Sequence, residues 1–121
     1  MKEYLFVYGT LRGRALGKFI GKGKTLDKFE MYDCGFPYII PSEKGSQIVG
    51  EVYLVDQETL KELDYYEGVE TGLYKRAKFK IILNEGKTIT AWLYFRNSPL
   101  EKSTKIKASD WIEWKRKRAK T

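Results

Sequence analysis

The chain has 121 residues, 42% of them hydrophobic and 15% aromatic, and carries a formal net charge of +7. That supports one compact domain with a core of its own, over residues 1–121, and is too little for two. No apolar run approaches the ~20 residues that cross a bilayer, and the absence of histidine removes Ser-His-Asp and Cys-His relays and every His-based metal site.

In chain order, Tyr4–Tyr8 reads as a first strand, rich in aromatic and β-branched residues. Residues 9–23 read as a glycine-dotted loop with a short helical turn near 15–20, and Thr25–Tyr32 as a second strand. Phe36–Pro41 is an extended segment held between two prolines, each of which resists helix. Residues 47–55 alternate as a strand does, with Gly50 marking a bulge or a close backbone contact. Asp56 offers an N-cap with Glu58 in the first turn, for a helix running to about Tyr66. Gly68 suits the residue just past its end, where a left-handed backbone is needed. Two long strands follow, 73–83 and 87–96, joined at Asn84-Glu85-Gly86. Ser109 is expected to cap a last helix through Trp111, Ile112 and Trp114, giving a basic C-terminal helix or tail at about 109–121. Strands dominate and connections are mostly local, so the fold class is α+β, with a curved sheet able to close as a barrel.

Two places carry chemistry. Leu60, Leu63 and Glu67 lie at i, i+3 and i+7, so the carboxylate projects from the apolar side of its helix. Desolvation and the negative end of the helix dipole would both raise its pKa toward the range a general base needs. The competing reading is a glutamate in a frayed last turn, facing water. The second place is Tyr8-Gly9-Thr10-Leu11-Arg12, directly after the first strand. The missing side chain at Gly9 lets backbone approach a ligand, successive N–H groups can line an anion site, and Thr10 could add a hydroxyl. Tyr74 and Arg76 alternate outward on a strand close to Glu67. Either could reach the same cavity, Arg76 offering its planar fork to a substrate carboxylate or standing as a surface residue.

Other features are set aside. Gly23-Lys24-Thr25 resembles the end of a phosphate-binding loop, but Lys18 stands where that loop needs glycine. Cys34 has no histidine to activate it and no partner for an internal disulfide, which fits a reducing cytoplasm. The early Glu3 and the brevity of the apolar stretch 4–8 argue against a signal peptide. Residues 101–121 hold eight Lys/Arg against three Asp/Glu. This end is read as a solvated face ahead of a nucleic-acid or membrane-surface contact.

Phe6-Val7-Tyr8-Gly9-Thr10-Leu11-Arg12, Phe36-Pro37-Tyr38, Val49-Gly50-Glu51-Val52-Tyr53, Leu63-Asp64-Tyr65-Tyr66-Glu67-Gly68 with Tyr74-Lys75-Arg76, and Trp92-Leu93-Tyr94 occur together in this order. In this the chain resembles the small gamma-glutamylcyclotransferase-like proteins, over most of its first 96 residues. The resemblance implies a single-domain, mixed but mostly antiparallel β-barrel with flanking short helices. It also implies a cavity in which the loop of Tyr8, Gly9, Thr10 and Leu11 holds a glutamyl group and Glu67 is the acid/base. The implied reaction is intramolecular: the α-amine of a gamma-glutamyl amide attacks its own γ-carbonyl, releasing 5-oxoproline and a free amine, with neither metal nor cofactor. The stretch Gly13-Arg14-Ala15-Leu16-Gly17 departs from a polar Gly-x-x-Asn-like segment carried by many relatives. A non-catalytic small-metabolite-binding module of the same fold is the alternative. The expected partner is thus a small-molecule gamma-glutamyl substrate, with no membrane and no cofactor, nucleic acid ranked well behind it, and a monomer favoured.

Overall fold

The computed structural model describes residues 2–9, 11–14 and 16–119. Its elements are strands β1 (Lys2–Val7), β2 (Lys18–Asp33), β3 (Pro37–Pro41) and β4 (Ser46–Asp56), helix α1 (Gln57–Tyr66), strands β5 (Lys75–Leu83), β6 (Thr88–Phe95) and β7 (Thr104–Ile106), and helix α2 (Trp111–Ala119). Five strands close on themselves in the order β2-β4-β1-β6-β5 and back to β2. The ladders are antiparallel except β1–β6, which is parallel at Leu5–Trp92. The result is an α+β fold built on a mixed, mostly antiparallel barrel, with β3 and β7 attached along the far end of β2.

The apolar run of the first strand has a simple cause. Phe6 and Tyr8 enter one core cluster with Ile48, Val52, Ile81 and Leu93, while Leu5 and Val7 enter a second with Leu60, Leu63, Tyr74 and Tyr94. A strand buried on both faces cannot alternate with polar residues. Gly50 makes the close backbone contact expected of it, since a Cβ there would lie 2.3 Å from the Val7 carbonyl oxygen.

Helix α1 starts where its cap predicts: the Asp56 side chain accepts the Thr59 N–H at 2.8 Å. It ends in a Schellman motif, with Gly68 at φ 69°. The Gly68 N–H bonds to the Tyr65 carbonyl and the Val69 N–H to the Asp64 carbonyl. This fixes Glu67 as the last residue of the helical turn, and Leu60 and Leu63 turn that face inward.

Three sequence expectations are corrected. The helical turn near 15–20 is not formed at its C-terminal side, because Lys18 and Phe19 pair with Leu54 and Tyr53 of β4 and already belong to β2. Sheet pairing overrides local preference there, and the second strand begins seven residues before Thr25. Asp110, not Ser109, caps α2: its carboxylate accepts the Glu113 N–H at 3.2 Å, while the Ser109 carbonyl is taken by the Val49 N–H at 2.7 Å. The short β7 had no apolar pattern to reveal it.

Candidate active site

Between the end of β1, the start of β3 and the C-terminal end of α1 lies an open cavity of about 970 Å³. Tyr8, Gly9, Leu11, Glu67 and Tyr74 all line it, so two segments nearly sixty residues apart in sequence meet in one wall. Thr10 lies outside the described residues. The backbone turns tightly here, the Arg12 N–H bonding to the Gly9 carbonyl at 3.0 Å. Gly9 allows it: a Cβ at this position would stand 2.4 Å from Cγ of Pro37, the residue that opens β3 on the facing wall.

Glu67 is half-buried, and burial raises its pKa from 4.5 to about 7. Among the described residues no donor or cation partners its carboxylate. Water removed from a carboxylate without replacement hydrogen bonds destabilises the charged form, and that alone produces the rise. Tyr8 and Tyr74 are buried beside it, and Tyr94 lines the same cavity. Burial above all, reinforced by nearby negative charge, pushes all three phenols up, so they stay protonated.

Asp64, three residues before Glu67, has the opposite surroundings. Arg76 donates to both of its oxygens, Nε to Oδ1 at 2.7 Å and Nη2 to Oδ2 at 2.9 Å. The Tyr94 hydroxyl adds a third bond at 2.7 Å. Arg76 also stacks 4.1 Å above the Trp92 ring. The expectation that Arg76 reaches the cavity is therefore corrected: it is not in the lining, and its fork is engaged by Asp64. That bidentate pair ties α1 to β5, and the Tyr94 bond ties it to β6, one turn before Glu67. In the same way, the Tyr8 hydroxyl donates to the Tyr94 carbonyl at 2.7 Å and ties β1 to β6.

A second anchor, which sequence reasoning did not find, holds the far end of the loop. Arg12 has only 6% of its side chain exposed. Its Nη1 donates to Asp110 at 2.8 Å and its Nε reaches Glu51 at 3.5 Å. Glu51 also accepts the Gly13 N–H at 3.0 Å and the Tyr53 hydroxyl at 2.9 Å. The only sequence signal was a charged residue, Glu51, inside an otherwise apolar strand. Among the described residues no group of three or more His, Cys, Asp or Glu is placed to hold a metal ion.

The family model described as "Gamma-glutamyl cyclotransferase, AIG2-like" matches residues 5–113. The chain belongs to this family. It is 52% identical over 101 residues to "Putative gamma-glutamylcyclotransferase" of Methanocaldococcus jannaschii, covering 77% of this chain and 83% of that one. Among solved structures it is similar to an AIG2-like protein of Mus musculus, with 26% identity, TM-score 0.72 and coverage of 83% and 80%. An uncharacterized protein of Pyrococcus horikoshii shares 26% identity at TM-score 0.74, covering 98% of this chain and 97% of the other.

Proposed function

We propose that the protein is a cofactor-independent gamma-glutamylcyclotransferase acting in the cytoplasm. The observation that carries this reading is a carboxylate, Glu67, with no partner among the described residues and a pKa near 7, in the wall of a large cavity in a chain of this family. A gamma-glutamyl amide binds with its glutamyl end against the loop of Tyr8, Gly9, Thr10 and Leu11 and its α-amine toward Glu67. The neutral amine attacks the γ-carbonyl carbon, and a C–N bond forms as the carbonyl electrons move to oxygen. The nitrogen, cationic in the tetrahedral intermediate, gives a proton to the Glu67 carboxylate. As the oxyanion collapses, the bond to the leaving nitrogen breaks and Glu67 returns the proton to that nitrogen. The products are 5-oxoproline and a free amine.

Because nucleophile and electrophile share one molecule, holding them folded together supplies much of the acceleration, up to ~7–11 kcal/mol in the best intramolecular cases. Backbone N–H groups of the Gly9–Leu11 turn steady the oxyanion, a role worth roughly 3–4 kcal/mol per donor elsewhere. The protonated phenol of Tyr74 supplies a further donor to the glutamyl group, while the Tyr8 hydroxyl is held by the Tyr94 carbonyl. Incubation with a panel of gamma-glutamyl amides and amino acids, followed by mass spectrometry, is expected to reveal 5-oxoproline. Tight binding of such compounds with no 5-oxoproline from any of them would refute the enzyme and favour a metabolite-binding module.

A further inference from the structure

The cavity changes character from inside to outside. Its deeper wall holds the buried Tyr8 and Tyr74 with Glu67, whereas its mouth is made of side chains a folded protein normally covers. Among the described residues seven large apolar or aromatic side chains are exposed, and four of these, Phe36, Tyr65, Tyr66 and Leu73, line this one cavity. Tyr65 and Tyr66, at the last turn of α1, are 88% and 74% exposed. Phe36 faces them from the segment before β3, so the rim is apolar on both sides of the opening. Exposed apolar side chains scattered singly need no explanation, but their concentration at one opening marks a contact surface. The two charged rim residues, Arg14 and Glu62, have opposite signs, so the selection the rim exerts is mainly for apolar area.

The cavity's 970 Å³ lies at the upper end of the ~300–1,000 Å³ typical of small-molecule sites, far more than a glutamyl group fills. With the glutamyl end held at the deeper wall, whatever follows the amide nitrogen must pass out between Phe36 and the tyrosine pair. We infer that this rim is a leaving-group subsite, and that the preferred substrates are gamma-glutamyl amides of amines bearing a large apolar or aromatic body. The inference rests on the cyclotransferase reading and deepens it.

The test compares gamma-glutamyl-ethylamide with gamma-glutamyl-2-phenylethylamide, which differ only by a phenyl ring, using 5-oxoproline release to obtain kcat/KM. The wild-type protein is expected to favour the phenylethylamide by ~10-fold or more, the discrimination an apolar pocket gives for added apolar area. In Tyr65→Ala/Tyr66→Ala, and separately in Phe36→Ala from the other side of the mouth, the ratio should fall toward one. Circular dichroism and thermal melting confirm that each variant is folded. Equal kcat/KM for both amides in the wild type, or a preference unchanged in both variants, overturns the subsite while the cyclotransferase reading stands. No 5-oxoproline from either amide overturns both.

Discussion

Two carboxylates three residues apart on the same helix end show how surroundings assign roles. Asp64 receives three hydrogen bonds and serves as a tether, while Glu67 receives none from the described residues and has a pKa near 7. If Glu67 is the base, log kcat/KM should rise steeply with pH below about 7 and more gently above it, where only the substrate's α-amine is still losing its proton, as a pH–rate profile of 5-oxoproline formation would show. The same shift has a stability consequence. A carboxyl group whose pKa is higher folded than unfolded keeps its proton in the native state between pH 4.5 and about 7, where the unfolded chain has lost it. Stability therefore falls as pH rises through that window, and the full loss is present above it. Discounted for solvent screening, the loss is about 2 kcal/mol. Glu67→Gln should thus be more stable than wild type at pH 8 and nearly equal to it at pH 4, measured by urea denaturation; equal stability at both would contradict the burial argument. At Gly9 the constraint is steric. Gly9→Ala places a methyl group against the Pro37 ring, costs ~1–3 kcal/mol as overpacking does, and should lower kcat/KM by displacing the loop. Thermal melts and kinetics on one preparation would check both.

At the scale of elements, α1 was legible because its signals are local: a capping aspartate, an apolar face at Leu60 and Leu63, and a glycine suited to left-handed backbone. The position of Glu67 follows from those signals. What Arg76 does was not legible, because strand alternation says which side it takes and not what waits there. Asp64 lies 12 residues away from it, on the neighbouring element. The early part of β2 was hidden for a similar reason, since its pairing with β4 is set some thirty-five residues downstream. The Asp64–Arg76 tether yields a prediction at this scale. Arg76→Ala leaves a half-buried carboxylate with one donor and should destabilise by ~1–3 kcal/mol. Arg76→Lys should recover only part of this, because an ammonium cannot span both oxygens of Asp64 and stack on Trp92 as the fork does. Denaturant melts of the three proteins would show the ranking; full recovery with lysine would mean that charge alone matters.

Over the whole molecule, barrel closure brings the loop after β1, strand β4 and the cap of α2 together at Arg12, between Glu51 and Asp110. None of this contact is local in sequence, and only the odd presence of Glu51 in an apolar strand hinted at it. Arg12→Ala would leave the buried Glu51 and nearby Asp110 without their shared cation, a change expected to cost roughly 3–5 kcal/mol. A thermal melt that hardly moved would show that the anchor is dispensable. On the apolar side, Trp111 of α2 closes the barrel core, while the basic residues beyond it lie outward, with Lys115 over Trp111 and Arg118 over Trp114. The basic end is thus partly bound up with the aromatic faces of its own helix.

All of these anchors hold Glu67 and the loop after β1 around one cavity, the place of the proposed substrate. The most direct measurement is the turnover of wild type and Glu67→Gln on the best gamma-glutamyl amide, with 5-oxoproline quantified by mass spectrometry and folding verified by circular dichroism. Loss of a proton-transferring group predicts a fall of ~10²–10⁴-fold in kcat. A folded Glu67→Gln protein that turns over as fast as wild type would contradict the assignment of Glu67 as the acid/base.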